Sequence, residues 1–248
     1  MRSTKLTLFS TKSRVSPKTE LVKPEKNAGR PAPRILFEDT HLVVLSKPAG
    51  LLSQGEHTGD ENLVDWLRGH FGRNYVGLVH RLDRNTSGLM VVAKRTKSAQ
   101  RLTQALQTGK ICRSYLAWLS GSLPRPVCWT HWLSKDGDSN TVRVVAPHSP
   151  GAKAALLNAR PRRPGTWEGS PITLMEIELD TGRSHQIRVQ AASEGHPLVG
   201  DAKYGSALRF HRPALHSFRI RFSHPMSGEE LEFVEEFPGD WPTELKEV

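Results

Sequence analysis

The chain has 248 residues, 37% of them hydrophobic, which is enough for one large or two small domains with a real core. No apolar run reaches the length of a membrane-crossing helix, and two cysteines, Cys112 and Cys128, are too few and too far apart for a disulfide framework or a zinc knuckle. The net charge is +10, yet residues 1–34 hold nine of the 35 Lys/Arg and only two of the 25 acids, so the basicity mostly describes a leader.

That leader, residues 1–33, has one aromatic, Phe9, and little apolar periodicity, and it reads as a disordered basic tail ahead of a single domain over 34–248. It suits polyanions without sequence specificity. Its Ser/Thr and Lys/Arg content also fits organellar import, although Glu20, Glu25 and four prolines break an amphipathic helix. With no secretory segment, the expected compartment is the cytoplasm.

"RILFEDTHLVVLSKPAG" predicts two strands around a Glu-Asp-Thr turn. "DENLVDWLRGHF" predicts a helix capped by Asp60, with Leu63, Trp66 and Leu67 on one face. "LVHRLDRNTSGLMVVAK" predicts strand, turn and strand, the turn at Asn85–Gly88. "TKSAQRLTQALQTGK" predicts a second helix, capped by Thr96, striped by Ala99, Leu102 and Leu106, and ended by Gly109.

"ICRSYLAWLSG" alternates as a strand that places Cys112 opposite Tyr115 as a small buried residue. Residues 134–170, rich in Gly, Pro and Ser and including "RPRRPG", predict one or two strands within long loops. "ITLMEIELD" is a strand, "TGRSHQIRVQAASEGHP" a glycine turn into a helix from about Ser184, "ALHSFRIRF" a strand, and "FSHPMSGEELEFVEEF" a closing hairpin. Strands outnumber helices and are joined mostly by turns, so the expected fold is α+β on a mainly antiparallel sheet flanked by helices and loops.

Two constellations can carry chemistry. Asp83 stands between Arg81 and Arg84, where the guanidinium groups favour an ionised carboxylate suited to nucleophilic or electrostatic work rather than to acid catalysis. An Arg–Asp pair that only pins a turn would produce the same letters; the flanking apolar runs favour a rigidly held tip. In "ELDTGRSHQIRV" a helix starting near Ser184 would set His185 and Arg188 one turn apart on one face, facing an anion or merely solvent. His41, His57, His70, His131 and His148 show no ligand spacing, so no metal is expected.

These residues also carry a resemblance. "VLSKPAG", "HRLDRNTSG", "GKICRSYLAWLSG" and "TGRSHQIRV…GHPLVGDAKYG", in that order across about residues 35–237, resemble the motifs of RluA-type pseudouridine synthases. The resemblance implies that family's fold, with a catalytic cleft across its sheet, and isomerisation of uridine in ribosomal or transfer RNA without cofactor or metal. It implies Asp83 as the catalytic aspartate, Tyr115 against the target base, Arg188 as the aspartate's partner, and Arg81 entering the RNA stack where the uridine has left. Lys47 and Pro48 would shape the site. Most relatives have a histidine where Gln190 stands, which puts substrate choice in question. The expected partner is RNA and the expected state a monomer, with no membrane association. Two other readings remain at this point: an RNA-binding or assembly protein on the same fold without turnover, and a carboxylate hydrolase that releases free uracil.

Overall fold

In a computed structural model, residues 31–55, 59–136 and 141–246 are described. The expected tail therefore lies outside the described residues except for 31–33, as does His57. In chain order the elements are β1 (Arg34–Glu38), β2 (Leu42–Lys47), α1 (Leu63–Phe71), β3 (Gly77–Leu78), β4 (Ser87–Ala93), α2 (Thr96–Gln107) and β5 (Cys112–Ser120). They continue with β6 (Val127–Asp136), β7 (Thr141–Val145), β8 (Lys153–Trp167), β9 (Ser170–Leu179), α3 (Gln186–Ser193), β10 (Leu215–Ser223) and β11 (Glu230–Val234). The α+β, mainly antiparallel expectation holds: every pairing with a resolved register between these strands is antiparallel.

The chain divides into two compact units. The first comprises the chain through Ile111 together with Arg219–Glu235. Its strands run in the order β1-β2-β4, with β3 added to β4 and β11 paired to the far half of β10. Its core is aliphatic and aromatic: Leu42, Val44, Leu89, Val91, Leu102, Ile220, Phe222 and Phe233. Ala99 and Leu106 of α2 pack on this cluster beside Leu102, so the helix buries the stripe its spacing predicts. Neither helix is capped as expected. Asn62, not Asp60, caps α1, its Oδ1 accepting from Asp65 N at 3.1 Å; the Asp60 carboxylate pairs with Arg84 instead. Arg95 holds the cap position of α2 and makes no side-chain cap bond, and Thr96 already lies inside the helix.

The second unit comprises Cys112–Phe218 and the chain from Glu236. Its strands run β5-β9-β8-β6-β7. Here the region expected to be mostly loop is sheet: β8 alone runs 15 residues and contains "RPRRPG". Two prolines do not stop it, because the ladder with β9 shifts register between Pro161 and Arg163, and proline is tolerated at a bulge. The motif's side chains face inward duties as well as solvent. Arg160 and Arg162 both bond Glu176, which is buried, at 2.8 and 3.0 Å. The Arg163 guanidinium lies 4.7 Å from the centroid of the buried Trp118 ring. Gly165 sits so near that ring that a Cβ would come within 2.9 Å of it, which explains a glycine within a strand.

Cys112 is exposed rather than buried. The ladder between β5 and β9 begins only at Ser114↔Glu178, so Cys112 precedes the covered part of its strand. Ser114 through Leu119 are buried without alternation.

Candidate active site

Gly77 begins β3 because its backbone runs against α2 and β4; a Cβ there would lie 2.9 Å from the Ala99 Cβ and 3.0 Å from that of Ala93. The ladder stops after Leu78, and side chains then take over the backbone's bonding as far as the turn. Val91 N donates to His80 Nε2 at 3.2 Å. Ser53 Oγ donates to Leu82 O at 2.6 Å and accepts from Leu82 N at 3.1 Å.

The turn itself falls two residues earlier than its sequence suggests. Thr86 N donates to Asp83 O at 3.1 Å, with Arg84 and Asn85 at the corner, and Ser87 already belongs to β4. Arg84 O accepts from Gly50 N at 2.7 Å and from Lys47 Nζ at 3.2 Å. Lys47 is fully buried, and its ammonium also donates to Pro48 O (3.0 Å) and Leu51 O (2.8 Å). The "SKPAGLLS" stretch therefore grips the chain on both sides of Asp83. Asp83 itself is half-buried and Arg81 is exposed. The two arginines have different surroundings, since Arg84 reaches Asp60.

The other two residues singled out by motif belong to the second unit. Tyr115 lies in the middle of β5 opposite Ile177 and is buried. Arg188 lies in α3, which begins at Gln186 rather than Ser184. His185 precedes it in the left-handed region, at φ 52. Gln186 sets that entry: its Oε1 accepts from Thr181 Oγ1 (2.9 Å) and Arg183 N (3.0 Å), and its Nε2 donates to Leu156 O (3.0 Å).

Arg188 is buried and makes a two-pronged pair with Asp201, Nε and Nη2 donating at 2.7 and 2.8 Å. Its guanidinium carbon stands 5.0 Å from the Tyr204 ring centroid. The Tyr204 hydroxyl accepts from Val142 N at 3.2 Å and lies 2.7 Å from His185 Nδ1. His185 and Arg188 do converge, on Tyr204. Asp201 and Tyr204 belong to "GDAKYG", yet nothing in their spacing marks them as the arginine's carboxylate and platform.

Gln190 is fully buried; its Nε2 lies 3.1–3.2 Å from Trp129 O, Ala155 O and His131 Nδ1. It bridges β6 and β8. Among the described residues no group of three His, Cys, Asp or Glu gathers to hold a metal ion, and no helix is long and apolar enough to cross a membrane.

The profile of RNA pseudouridylate synthases matches residues 41–193. The ribosomal large subunit pseudouridine synthase D of Nitrosomonas europaea is 34% identical over 236 residues, 87% of this chain and 65% of that protein. The enzyme of that name from Vibrio cholerae is 33% identical over 232 residues, covering 83% of this chain and 68% of its own. The chain thus spans about two thirds of the length of these relatives. Among solved structures, the human RNA pseudouridylate synthase domain containing 1 superposes with a TM-score of 0.69 at 26% identity, covering 84% of each chain. By its matched profile, its relatives and its fold, this chain belongs to the RNA pseudouridylate synthase family.

Proposed function

We propose that the chain isomerises uridine to pseudouridine in RNA, with Asp83 as the reacting carboxylate. The observation that carries this reading is the Asp83 turn: a half-buried carboxylate whose two flanking peptides are anchored by one buried segment. Catalysis needs a reacting group held in place before substrate arrives, and this turn provides that. In the reaction the N1–C1′ bond of uridine breaks, the uracil turns, and a bond from C5 to C1′ forms. The proton on C5 leaves and N1 gains one, so no redox partner is required.

The remaining roles follow the motif. Extruding a uridine from its stack costs a few kcal/mol. Arg81, exposed beside Asp83, fills the gap left behind. Tyr115 packs on the extruded base, a contact worth roughly 1–3 kcal/mol. The motif assigns Arg188 to the reacting carboxylate, in addition to its pair with Asp201. The substrate is large-subunit ribosomal RNA, after the ribosomal large subunit for which the relatives are named, with transfer RNA as the competing outcome. The chain works as a monomer in the cytoplasm; its two cysteines are thiols, not a disulfide, which suits a reducing compartment.

The test is Asp83→Asn, with pseudouridines mapped by carbodiimide-based sequencing in RNA from cells carrying wild type, variant or neither. Product should fall by at least about 10³-fold, the scale of losing a covalent catalyst, while RNA binding survives. Unchanged product in the variant would refute the assignment. Wild-type binding without product would favour an assembly protein, and released uracil a hydrolase.

A further inference from the structure

Ser53 has no place in the motif assignments, yet it is buried and spends its hydroxyl wholly on the residue before Asp83. It donates to Leu82 O at 2.6 Å and accepts from Leu82 N at 3.1 Å. One hydroxyl thereby plays the part of a neighbouring strand, for a residue that has left the β3–β4 ladder. Leu82 is itself buried, so water cannot replace these bonds at low cost. On the other side of Asp83, Arg84 O is held by Gly50 N and Lys47 Nζ, and the Asp83 carbonyl is closed by Thr86 N. Ser53 thus holds both backbone groups of the residue leading into Asp83, while Gly50 N and Lys47 Nζ hold the carbonyl after it.

We propose that Ser53 is a positioning residue for the Asp83 carboxylate, fixing the direction from which it meets the sugar or base. The inference rests on the pseudouridine synthase reading above. Ser53→Ala removes both bonds and lets the Leu82–Asp83 peptide rotate. The Cβ of Asp83 then moves with it, and a displacement on the ångström scale is costly to a positioned catalyst while leaving RNA contacts elsewhere intact.

The experiment is single-turnover and steady-state kinetics of the full chain on large-subunit ribosomal RNA transcripts. Wild type, Ser53→Ala and Ser53→Thr are compared, each rate normalised to the folded fraction from a thermal melt. For Ser53→Ala, kcat should fall on the order of tenfold to a hundredfold, with KM within about threefold. Ser53→Thr, which keeps the hydroxyl, should recover most of the loss. A merely structural serine would lower Tm and folded fraction but leave kcat per folded molecule unchanged, and would show no hydroxyl-dependent rescue. An active wild type whose Ser53→Ala turns over within twofold of it, or a Ser53→Thr no better than Ser53→Ala, overturns the positioning role alone. A wild type with no turnover on any RNA offered overturns the reading beneath it, and this inference with it.

Discussion

The Asp83 turn and the Arg188 helix are held by different physics. Around Asp83 the backbone is held mostly by neutral groups or by donors to its carbonyls: a serine hydroxyl, an imidazole nitrogen, a glycine N–H and one buried ammonium shared among three carbonyls. Around Arg188 the order comes from full charges, a bidentate guanidinium–carboxylate pair beneath an aromatic ring. Neutral clamps share their work over several weak bonds, so losing one misaligns the chain without unfolding it. A buried ion pair concentrates the work in two groups, and removing either leaves an uncompensated charge.

Asp201→Ala tests that contrast most severely. Asp201 is almost wholly buried, and its loss removes both charge-assisted bonds that it accepts from the Arg188 guanidinium. The expected cost is about 3–5 kcal/mol by urea or thermal unfolding. A cost under about 1 kcal/mol, the range of an exposed pair, would show that water already screens the pair and would erase the contrast. Lys47→Met comes next. It keeps the volume but withdraws a donor from the carbonyls of Pro48, Leu51 and Arg84. Because Arg84 O keeps Gly50 N, the expected cost is about 1–3 kcal/mol, with turnover per folded molecule lowered. If Lys47→Met unfolds the protein outright, the Asp83 turn is charge-held after all.

The same contrast decides what was legible in the sequence. The α2 helix is readable because its stripe of Ala99, Leu102 and Leu106 is a local pattern that the core of the first unit simply accepts. Asp83, Tyr115 and Arg188 stand out as candidates only because long motifs surround them. What holds them is not. Ser53 reaches Leu82 across 29 positions, and Asp201 reaches Arg188 across 13; neither separation corresponds to a helical or strand period. "RPRRPG" misleads because Pro and Gly signal loops by their local cost. In β8 a register shift absorbs Pro161, and the Trp118 ring occupies the space a side chain at 165 would need. Asp60 misleads for a related reason: it can cap a helix, but Arg84 claims it and Asn62 takes the cap. Gln190 departs from the motif at a buried position, where its amide bonds β6 and β8.

The smallest effect expected concerns charge at the edge of the second unit. Arg212 is buried and donates twice to Asp240, at 2.7 and 2.8 Å, while His211 lies 2.9 Å from the same carboxylate. Partial burial alone would raise the Asp240 pKa; the hydrogen bonds and charge of Arg212, aided by His211, outweigh it and hold the carboxyl well below the aspartate range. A carboxyl whose pKa is lower folded than unfolded lends stability that is fully present above the unfolded value. That contribution fades as pH falls below the unfolded value toward the folded one. Asp240 is 39% exposed, so solvent screening limits the gain to about 1 kcal/mol. The Tm of wild type should therefore decline between pH 5 and about pH 2 by about 2–4 °C more than that of Asp240→Asn. Glu38, lowered against its own burial by Lys94 and His70, adds a slope of the same sign that both proteins share, so it cancels in the difference. Parallel Tm curves would mean that Asp240 bonds Arg212 no better than solvent does, and that charge organises the second unit only where it is buried on both sides, as at Arg188 and Asp201.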